Sequence, residues 1–214
     1  PSMALVYSKV MEVVNRMNGY HEREIANTYE LVSDEVMLFN NTSLDPFTCN
    51  ANTSCLIDEN QTHTDLRVGR TNYDIGHILC TAGGGLAQLA STCRNNGKAR
   101  GASTISSTTS LKTLLHEVGH QFSASHTVSA RSGSCAGNGM EEGAYEPGSG
   151  STIMSYQGGC NPNDIPTIAG YDDYYHVFSL MQMTTFIPTL TCGTINDNIP
   201  VLVIPNNTNH YTIP

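Results

Sequence analysis

The feature that most constrains the fold of this chain is the stretch LLHEVGHQFSASH at residues 114–126. His116 and His120 are four residues apart, so on a helix their side chains lie on one face, about one turn from each other. His126 follows six residues after His120, and a helix that continued straight would carry it out of reach. The spacing therefore predicts a helix and then, after Phe122, a sharp turn that returns His126 to the other two histidines.

Three histidines at this spacing are the ligand set expected of a catalytic zinc ion. Three neutral imidazoles leave a fourth position open for water, whereas a structural zinc is closed by four protein ligands, usually cysteines. Glu117, beside the first histidine, is the expected general base for the attacking water. The alternative is a buried helix that carries histidines by chance, but chance would give these offsets in only roughly one of a few thousand such chains.

An independent apolar pattern supports the helix. Five apolar side chains recur at helical spacing and would pack into a core while the histidine face stays open. They are Leu111, Leu114, Leu115, Val118 and Phe122. The expected N-cap of this helix is Ser107, Thr108 or Thr109.

The composition excludes several classes of function. A net charge of −9 without a cluster of Lys and Arg argues against a nucleic-acid partner, and the absence of an 18-residue apolar run argues against a membrane span. The seven cysteines show no C-x-x-C spacing, which favours a secreted protein with disulfides. The length of 214 residues fits one domain, or one domain of two lobes split by a cleft. Because Pro1-Ser2-Met3 does not begin a signal peptide, an exported chain would be a processed form.

The N-terminal third is predicted to form one helix and two strands. Residues 4–18 carry apolar side chains at helical spacing, and Asn18-Gly19 is the expected stop. Residues 25–32 and 35–39 are β-prone runs and predict adjacent strands. The polar segment 40–65 predicts a loop, and a disulfide between Cys49 and Cys55 would close it.

The centre of the chain predicts short strands, and the remainder predicts mainly irregular structure. Residues 73–80 read as a strand, the glycines at 83–85 as a turn, and residues 86–90 and 98–103 as further strand material. A glycine-rich loop is expected at 131–150.

A last helix is expected from a cap at Asp172 or Asp173 to about Ile187, followed by a tail or linker at 193–214. Its predicted buried side consists of Val177, Leu180, Met181 and Phe186.

A second motif gives the chain a resemblance to a known superfamily. The sequence STIMSY places Met154 28 residues after His126, and together the two motifs resemble the metzincin zinc endopeptidases, in which a methionine-containing turn follows three histidines. The stretches TNYDIGHILCT and GLAQLASTCRNNGKARG look like the adamalysin/reprolysin branch, in particular its bacterial members. Ser123 stands where the family has a glycine at positive φ.

The resemblance implies an α+β fold. It implies a twisted, mostly parallel sheet with an antiparallel edge strand and helices in an N-terminal lobe at about 1–126. A cleft separates this lobe from an irregular C-terminal lobe with one helix at about 127–192. It also implies a further strand ahead of the first helix, an inhibitory propeptide in the precursor, and a monomer.

The resemblance also implies roles for individual side chains. Met154 would form an apolar floor under the zinc, and Tyr156 is a tentative catalytic residue that would reach the zinc or the oxyanion. The strand at 73–80 would bind substrate, with Asp74, Ile75, Gly76 and His77 on its rim. Asp74 stands at a calcium-binding position of the family, so Ca²⁺ is expected as a second possible cofactor.

The same resemblance suggests how the other cysteines pair. It joins Cys93 to Cys192 and Cys135 to Cys160, which leaves Cys80 as a free, buried thiol. The remaining histidines stand alone in the sequence and are expected at the surface or as caps. They are His21, His63, His176 and His210.

The expected function is that of a secreted zinc endopeptidase acting on protein or peptide substrates. Two alternatives stay open. The domain could be an inactive binding or adhesion module with a relic zinc site, although loss of catalysis usually replaces the glutamate and Glu117 is present. It could also be a zinc hydrolase of a non-peptide substrate.

Overall fold

The chain forms four α-helices and three short strands in the part that the computed structural model describes. The described residues are 2–32, 37–39, 41–81, 83–104, 110–165 and 171–195. The helices are α1 (Met3–Ile25), α2 (Thr53–Thr64), α3 (Ser110–Gln121) and α4 (Val177–Phe186). The strands are β1 (Ile78–Cys80), β2 (Gly85–Ala87) and β3 (Gly101–Thr104). The predicted caps at 107–109 and nearly all of the predicted tail lie outside the described residues.

Helix α1 is longer than its sequence pattern predicts. The Ser2 side chain caps it, and it passes Asn18-Gly19 before ending at Ala26, which has φ 52°. The Asn18 amide donates to the Tyr29 carbonyl and accepts from the Tyr29 N–H. The predicted stop at Asn18 is therefore wrong, because this side chain bonds to the returning chain rather than to its own helix.

The two strands predicted after α1 do not form in the described residues. Residues 26–32 and 37–39 contain no strand, and 33–36 lie outside the described part. The backbone N–H and C=O of Tyr29 are bonded to Asn18, so an α1 side chain replaces a strand partner.

Helix α2 occupies half of the segment predicted as a loop. Asn52 caps it by accepting from the backbone N–H groups of Ser54 and Cys55, and the Cys49–Cys55 disulfide closes its first turn as predicted. The helix was missed because its buried face includes the polar side chains of Asn60 and Thr64, which break the apolar periodicity.

The sheet has the strand order β1–β3–β2. β1 is parallel to β3, and β2 is antiparallel to β3 at the other edge. Gly83 and Gly84, with φ of 85° and 69°, supply the left-handed turn before β2. A small mixed sheet with helices confirms the expected α+β class, although the strand predicted at 73–80 is limited to β1.

The main core joins α1, α3, α4 and the segment that contains Met154. Its buried side chains include Met17, Ile25, Leu111, Leu114, Leu115, Val118, Phe122, Ile153, Met154, Tyr175 and Met183. A smaller cluster surrounds the Cys135–Cys160 disulfide. The Cys93–Cys192 bond also forms, and Cys80 stays free but only half-buried. Three disulfides are consistent with an extracellular protein.

Helix α4 is correctly expected, but its cap and buried face are not. The His176 side chain, rather than an aspartate, accepts from the Phe178 N–H. Val177 and Met181 are exposed, whereas Ser179 and Met183 are buried. Four of the ten residues of this helix are polar, and one of them, Ser179, is buried, so polarity does not mark the exposed face.

Two further expectations concern the segment 131–150 and membrane-spanning helices. The segment 131–150 consists mainly of turns, with one short 3₁₀ helix, Gly133–Cys135, and one isolated bridge from Glu146 to Val128, as expected of a loop. No helix among the described residues is long and apolar enough to cross a membrane.

A buried series of hydrogen bonds joins α1 to α3. The Tyr175 hydroxyl donates to the Leu115 carbonyl at 2.7 Å, so it can only accept from His21 Nε2, 2.8 Å away. His21 therefore carries its proton on Nε2, and its Nδ1 accepts from the Tyr29 hydroxyl at 2.5 Å. His21 is fully buried, which corrects its expected place at the surface.

We expect His21 to make the fold sensitive to acid. Burial lowers the pKa of His21 to about 4 from 6.5, so the folded chain resists a proton that the unfolded chain accepts. The free energy of unfolding should thus be unaffected by His21 above pH 6.5 and fall by about 3 kcal/mol between pH 6.5 and 4. Urea unfolding of the wild type and His21→Phe, both with a chelator, measures this difference.

The stability advantage of the wild type over His21→Phe should shrink by that amount between pH 7 and pH 4. An advantage that is equal at both pH values would contradict the prediction.

Candidate metal centre

Helix α3 presents two of the predicted ligands on one face. Its apolar stripe is buried as predicted, with Leu114, Leu115 and Val118 no more than 3% exposed. His116 and His120 lie on the other side, where their ring centroids are 4.8 Å apart. The burial of the stripe thereby fixes the direction in which the two histidines point.

The turn after α3 forms where the sequence requires it. The helix ends at Gln121, and Ser123 has φ 79°. The Ser123 N–H donates to the His120 carbonyl, and the Ala124 N–H donates to the Gly119 carbonyl at 2.9 Å. Serine in this left-handed conformation costs of order 1 kcal/mol, which these two bonds help to offset.

The turn brings His126 to the other two histidines. Its Nε2 lies 3.0 Å from Nε2 of His120 and 3.1 Å from Nε2 of His116. The three potential ligand atoms all lie within 4.8 Å of one another, so they can hold one metal ion. The predicted convergence of the three side chains is thus present in the fold.

Each of the three rings is oriented by a backbone carbonyl. His116 Nδ1 contacts the Ile153 oxygen at 2.8 Å, His120 Nδ1 the Ala124 oxygen at 2.7 Å, and His126 Nδ1 the Asn138 oxygen at 2.7 Å. A carbonyl can only accept, so the proton of each neutral ring is on Nδ1 and the Nε2 lone pairs face one another. Zinc-binding histidines usually donate the other ring N–H to such an acceptor, which fixes the tautomer and the orientation of the ring.

The electrostatics also fit a metal. Burial lowers the pKa of His116 well below its ordinary value, with a further contribution from its two histidine neighbours. Burial lowers the pKa of His120 to about 4 and also lowers that of His126. All three imidazoles are therefore neutral at pH 7, the form that binds zinc.

The Glu117 side chain extends from α3, called the metal helix below because it carries His116 and His120, to the edge strand β2. A Cβ on Gly85 would be 2.5 Å from Glu117 Cγ and 2.6 Å from its Oε1, so the carboxylate packs directly on the strand backbone. Burial raises the pKa of Glu117 to about 8.

Met154 packs against α3 at Gly119. It is fully buried, and a Cβ on Gly119 would be 2.7 Å from its sulfur. Because Gly119 precedes His120, the thioether packs against the backbone of the metal helix. Ile153, the residue before Met154, supplies the carbonyl that orients His116.

Tyr156 packs on the ligand rings. Its ring centroid is 4.5 Å from that of His126 and 5.7 Å from that of His116. Burial raises the pKa of Tyr156, and the Glu117 carboxylate raises it further. The tyrosine therefore borders the predicted metal position and lies within electrostatic range of the expected base.

Among the predicted rim residues, Gly76 and His77 bond to the segment before β3, to β3 itself and to the end of α3. His77 is hydrogen-bonded to Gln121 Oε1 at 2.8 Å and to Ser103 Oγ at 2.9 Å, behind the helix. The Gly76 N–H donates to the Lys98 carbonyl. Asp74 is exposed and joins no group of three potential metal ligands among the described residues, so nothing in the fold supports calcium there.

Several residues of the centre escape sequence reasoning. The orienting acceptors are backbone carbonyls of Ala124, Asn138 and Ile153, which have no residue signature. Gly85 was read only as part of a turn, although its missing side chain makes room for Glu117.

Comparison with known protein families gives one finding. A family model described as metallo-peptidase family M12B, reprolysin-like, matches residues 7–127, which is more than half of the 214 residues. The matched stretch includes all three histidines and ends just after His126. Comparison with the curated proteins gives no match.

Proposed function

The chain belongs to the reprolysin-like metallo-peptidases of family M12B, and from this premise we propose that it is a secreted zinc endopeptidase that hydrolyses internal bonds of proteins. The observation that carries the proposal is the convergence of three histidines beside a buried glutamate, with Nε2 of His126 within 3.1 Å of Nε2 of both other rings. His116, His120 and His126 would hold the zinc ion.

The proposed roles of the protein groups follow from their positions. Bound zinc would polarise the scissile carbonyl and acidify the attacking water. With a pKa of about 8, close to the working pH, Glu117 in its carboxylate form takes the proton of that water and passes it to the nitrogen of the leaving amine. The Nδ1 bonds to carbonyls keep the three rings in the orientation and tautomer that metal binding needs.

We also propose that β2, rather than residues 74–77, receives the substrate backbone. β2 is an outer strand of the sheet and pairs only with β3 among the described strands. It lies against Glu117 through Gly85. An extended peptide added to this edge would run its scissile bond past the carboxylate.

The proposed function is tested by proteolysis of casein. The purified chain should cleave it, a chelator should abolish cleavage, and added zinc should restore it. Sequencing of the fragments should show internal cuts. Zinc bound without cleavage of any protein would favour the binding-module or non-peptide alternative.

Gly85→Ala should reduce activity while the metal stays bound. The new Cβ would overlap Glu117 Oε1, which must move by a large fraction of an ångström. We expect kcat/KM to fall roughly 10–100-fold, because misplacement of a catalytic group by about 1 Å has effects of that size. Zinc content and kcat/KM are measured together.

Gly84→Ala is the matched control for Gly85→Ala. It has no neighbour within 4 Å, so only its φ of 69° is strained. An equal activity loss in both variants would show that disturbance of this turn, and not contact with Glu117, is responsible.

Tyr156→Phe tests whether the tyrosine hydroxyl stabilises the oxyanion. The phenyl ring keeps the packing on His126 and removes only the hydroxyl. If the hydroxyl is an oxyanion donor, kcat should fall roughly 100-fold with KM unchanged. Full activity would limit Tyr156 to a packing role.

A further inference from the structure

Glu146 is a buried carboxylate that belongs to none of the sequence motifs. It is 6% exposed, and its two oxygens accept four hydrogen bonds. Oε1 accepts from the N–H groups of Ser151 at 2.8 Å and Thr152 at 3.0 Å. Oε2 accepts from the hydroxyls of Thr127 and Thr152, the latter at 2.6 Å.

The carboxylate is held as an anion without a paired cation. No Lys or Arg of the described residues forms an ion pair with Glu146 within 4.0 Å. Burial raises the pKa of Glu146, but bonds from Ser151, Thr127 and Thr152 outweigh it, so the pKa lies below its ordinary value. A buried, unpaired charge is costly, and here four donors compensate for lost water.

The donors of Glu146 lie beside two of the three histidine ligands. Thr127 directly follows His126. Ser151 and Thr152 directly precede Ile153, whose carbonyl orients His116. The backbone strengthens the first connection, since the Glu146 N–H donates to the Thr127 carbonyl at 2.8 Å.

Lys112 of α3 bonds to the same turn. It lies on α3 one turn before His116, and its Nζ donates to the Ser151 carbonyl at 3.4 Å and to Ser155 Oγ at 3.3 Å. The turn that contains Met154 is thus held by an acceptor from one loop and a donor from the metal helix. The two contacts fix its position relative to α3.

We propose that Glu146 is a positioning residue of the metal centre. By joining the chain after His126 to the chain before Ile153, it sets the separation of His116 and His126 and thereby the affinity for the metal. The proposal rests on the zinc site of the proposed function and adds a residue that touches neither metal nor substrate.

Glu146→Gln and Glu146→Ala should bind zinc roughly 10–100-fold more weakly than the wild type, because residues that hold metal ligands in place have effects of that size. The alanine variant should be the weaker binder of the two. Affinity is measured by competition with a chromophoric chelator, at a temperature where circular dichroism shows a native fold. Glu142→Gln is the matched control, since Glu142 is exposed on the same loop. It should bind zinc as the wild type does.

Thr127→Val provides a second variant if Glu146→Ala does not fold. It keeps the shape of the side chain and removes one donor to Oε2, so zinc affinity should fall less than in Glu146→Ala. The absorption bands of bound Co²⁺ should shift in each Glu146 variant that folds. Folded variants with wild-type zinc affinity and an unchanged Co²⁺ spectrum would overturn the proposal, even if they melt earlier. A wild-type chain that binds no zinc would overturn the proposed function itself.

Discussion

Glu117→Gln is expected to lower kcat by roughly 10²–10⁴-fold, the range typical of a lost general base. The amide has the shape of the carboxylate and fits the same space against Gly85. It cannot accept the proton of the attacking water, however, and so cannot pass one to the leaving amine. Cleavage of a fluorogenic peptide, with kcat and KM determined separately, measures the loss.

The metal centre should survive this substitution. The three Nε2 atoms and their carbonyl-bonded Nδ1 atoms do not depend on Glu117. Zinc content should stay at one ion per chain, and the thermal midpoint should be no lower than that of the wild type. Glu141→Gln, an exposed change of equal charge, should leave kcat unaltered. Activity of Glu117→Gln within tenfold of the wild type would refute the assigned role.

The metal helix and its turn were predictable because their causes are local. An apolar stripe fixed which face of α3 is buried, and the spacing of His116, His120 and His126 then required a turn. The structure places that turn at Ser123, with φ 79°. The turn needs a residue with positive φ at this position whatever its side chain, so Ser123 adopts that conformation despite its cost.

The elements that were misjudged depend on contacts between distant residues. α1 passes its predicted stop because Asn18 bonds to Tyr29 and His21 to Tyr175. α2 was missed because polar side chains such as Asn60, which donates to the Ala99 carbonyl, form part of its buried face. Sequence periodicity reports burial of apolar groups and is silent on polar groups that are buried with partners.

The candidate centre likewise combines features with local causes, which the sequence predicts, and features that depend on contacts between distant residues. The convergence of His116, His120 and His126 could be predicted because metal chemistry restricts both residue type and spacing; the role of Glu117 as the base stays a prediction. The acceptors of the Nδ1 protons could not be predicted, since any residue supplies a carbonyl. The substrate rim at residues 74–77 stays a prediction, and the contact of Gly85 with Glu117 supports our proposal of β2 in that role. Which edge of a sheet meets a helix is set by tertiary packing, so a strand-like pattern alone does not identify the rim.

Removal of the Cys93–Cys192 bond is expected to destabilise the chain by about 4–5 kcal/mol in the chain-entropy picture. The bond closes a loop with a sequence separation of 99 residues, by far the longest of the three disulfides. It ties the segment after α4 to the chain before β3, where Thr92 bonds to the Gln121 carbonyl at the end of the metal helix. The double variant Cys93→Ala, Cys192→Ala should melt about 10–15 °C lower.

Cys49→Ala, Cys55→Ala is the matched control for the loss of one disulfide. Its loop has a separation of only 6 residues, so the same picture gives about 2 kcal/mol. Urea unfolding under non-reducing conditions measures both, and a thiol count on the denatured wild type should give the single thiol of Cys80. Equal destabilisation by the two double variants would contradict an effect of loop length and would place the stabilisation in contacts of the folded chain instead.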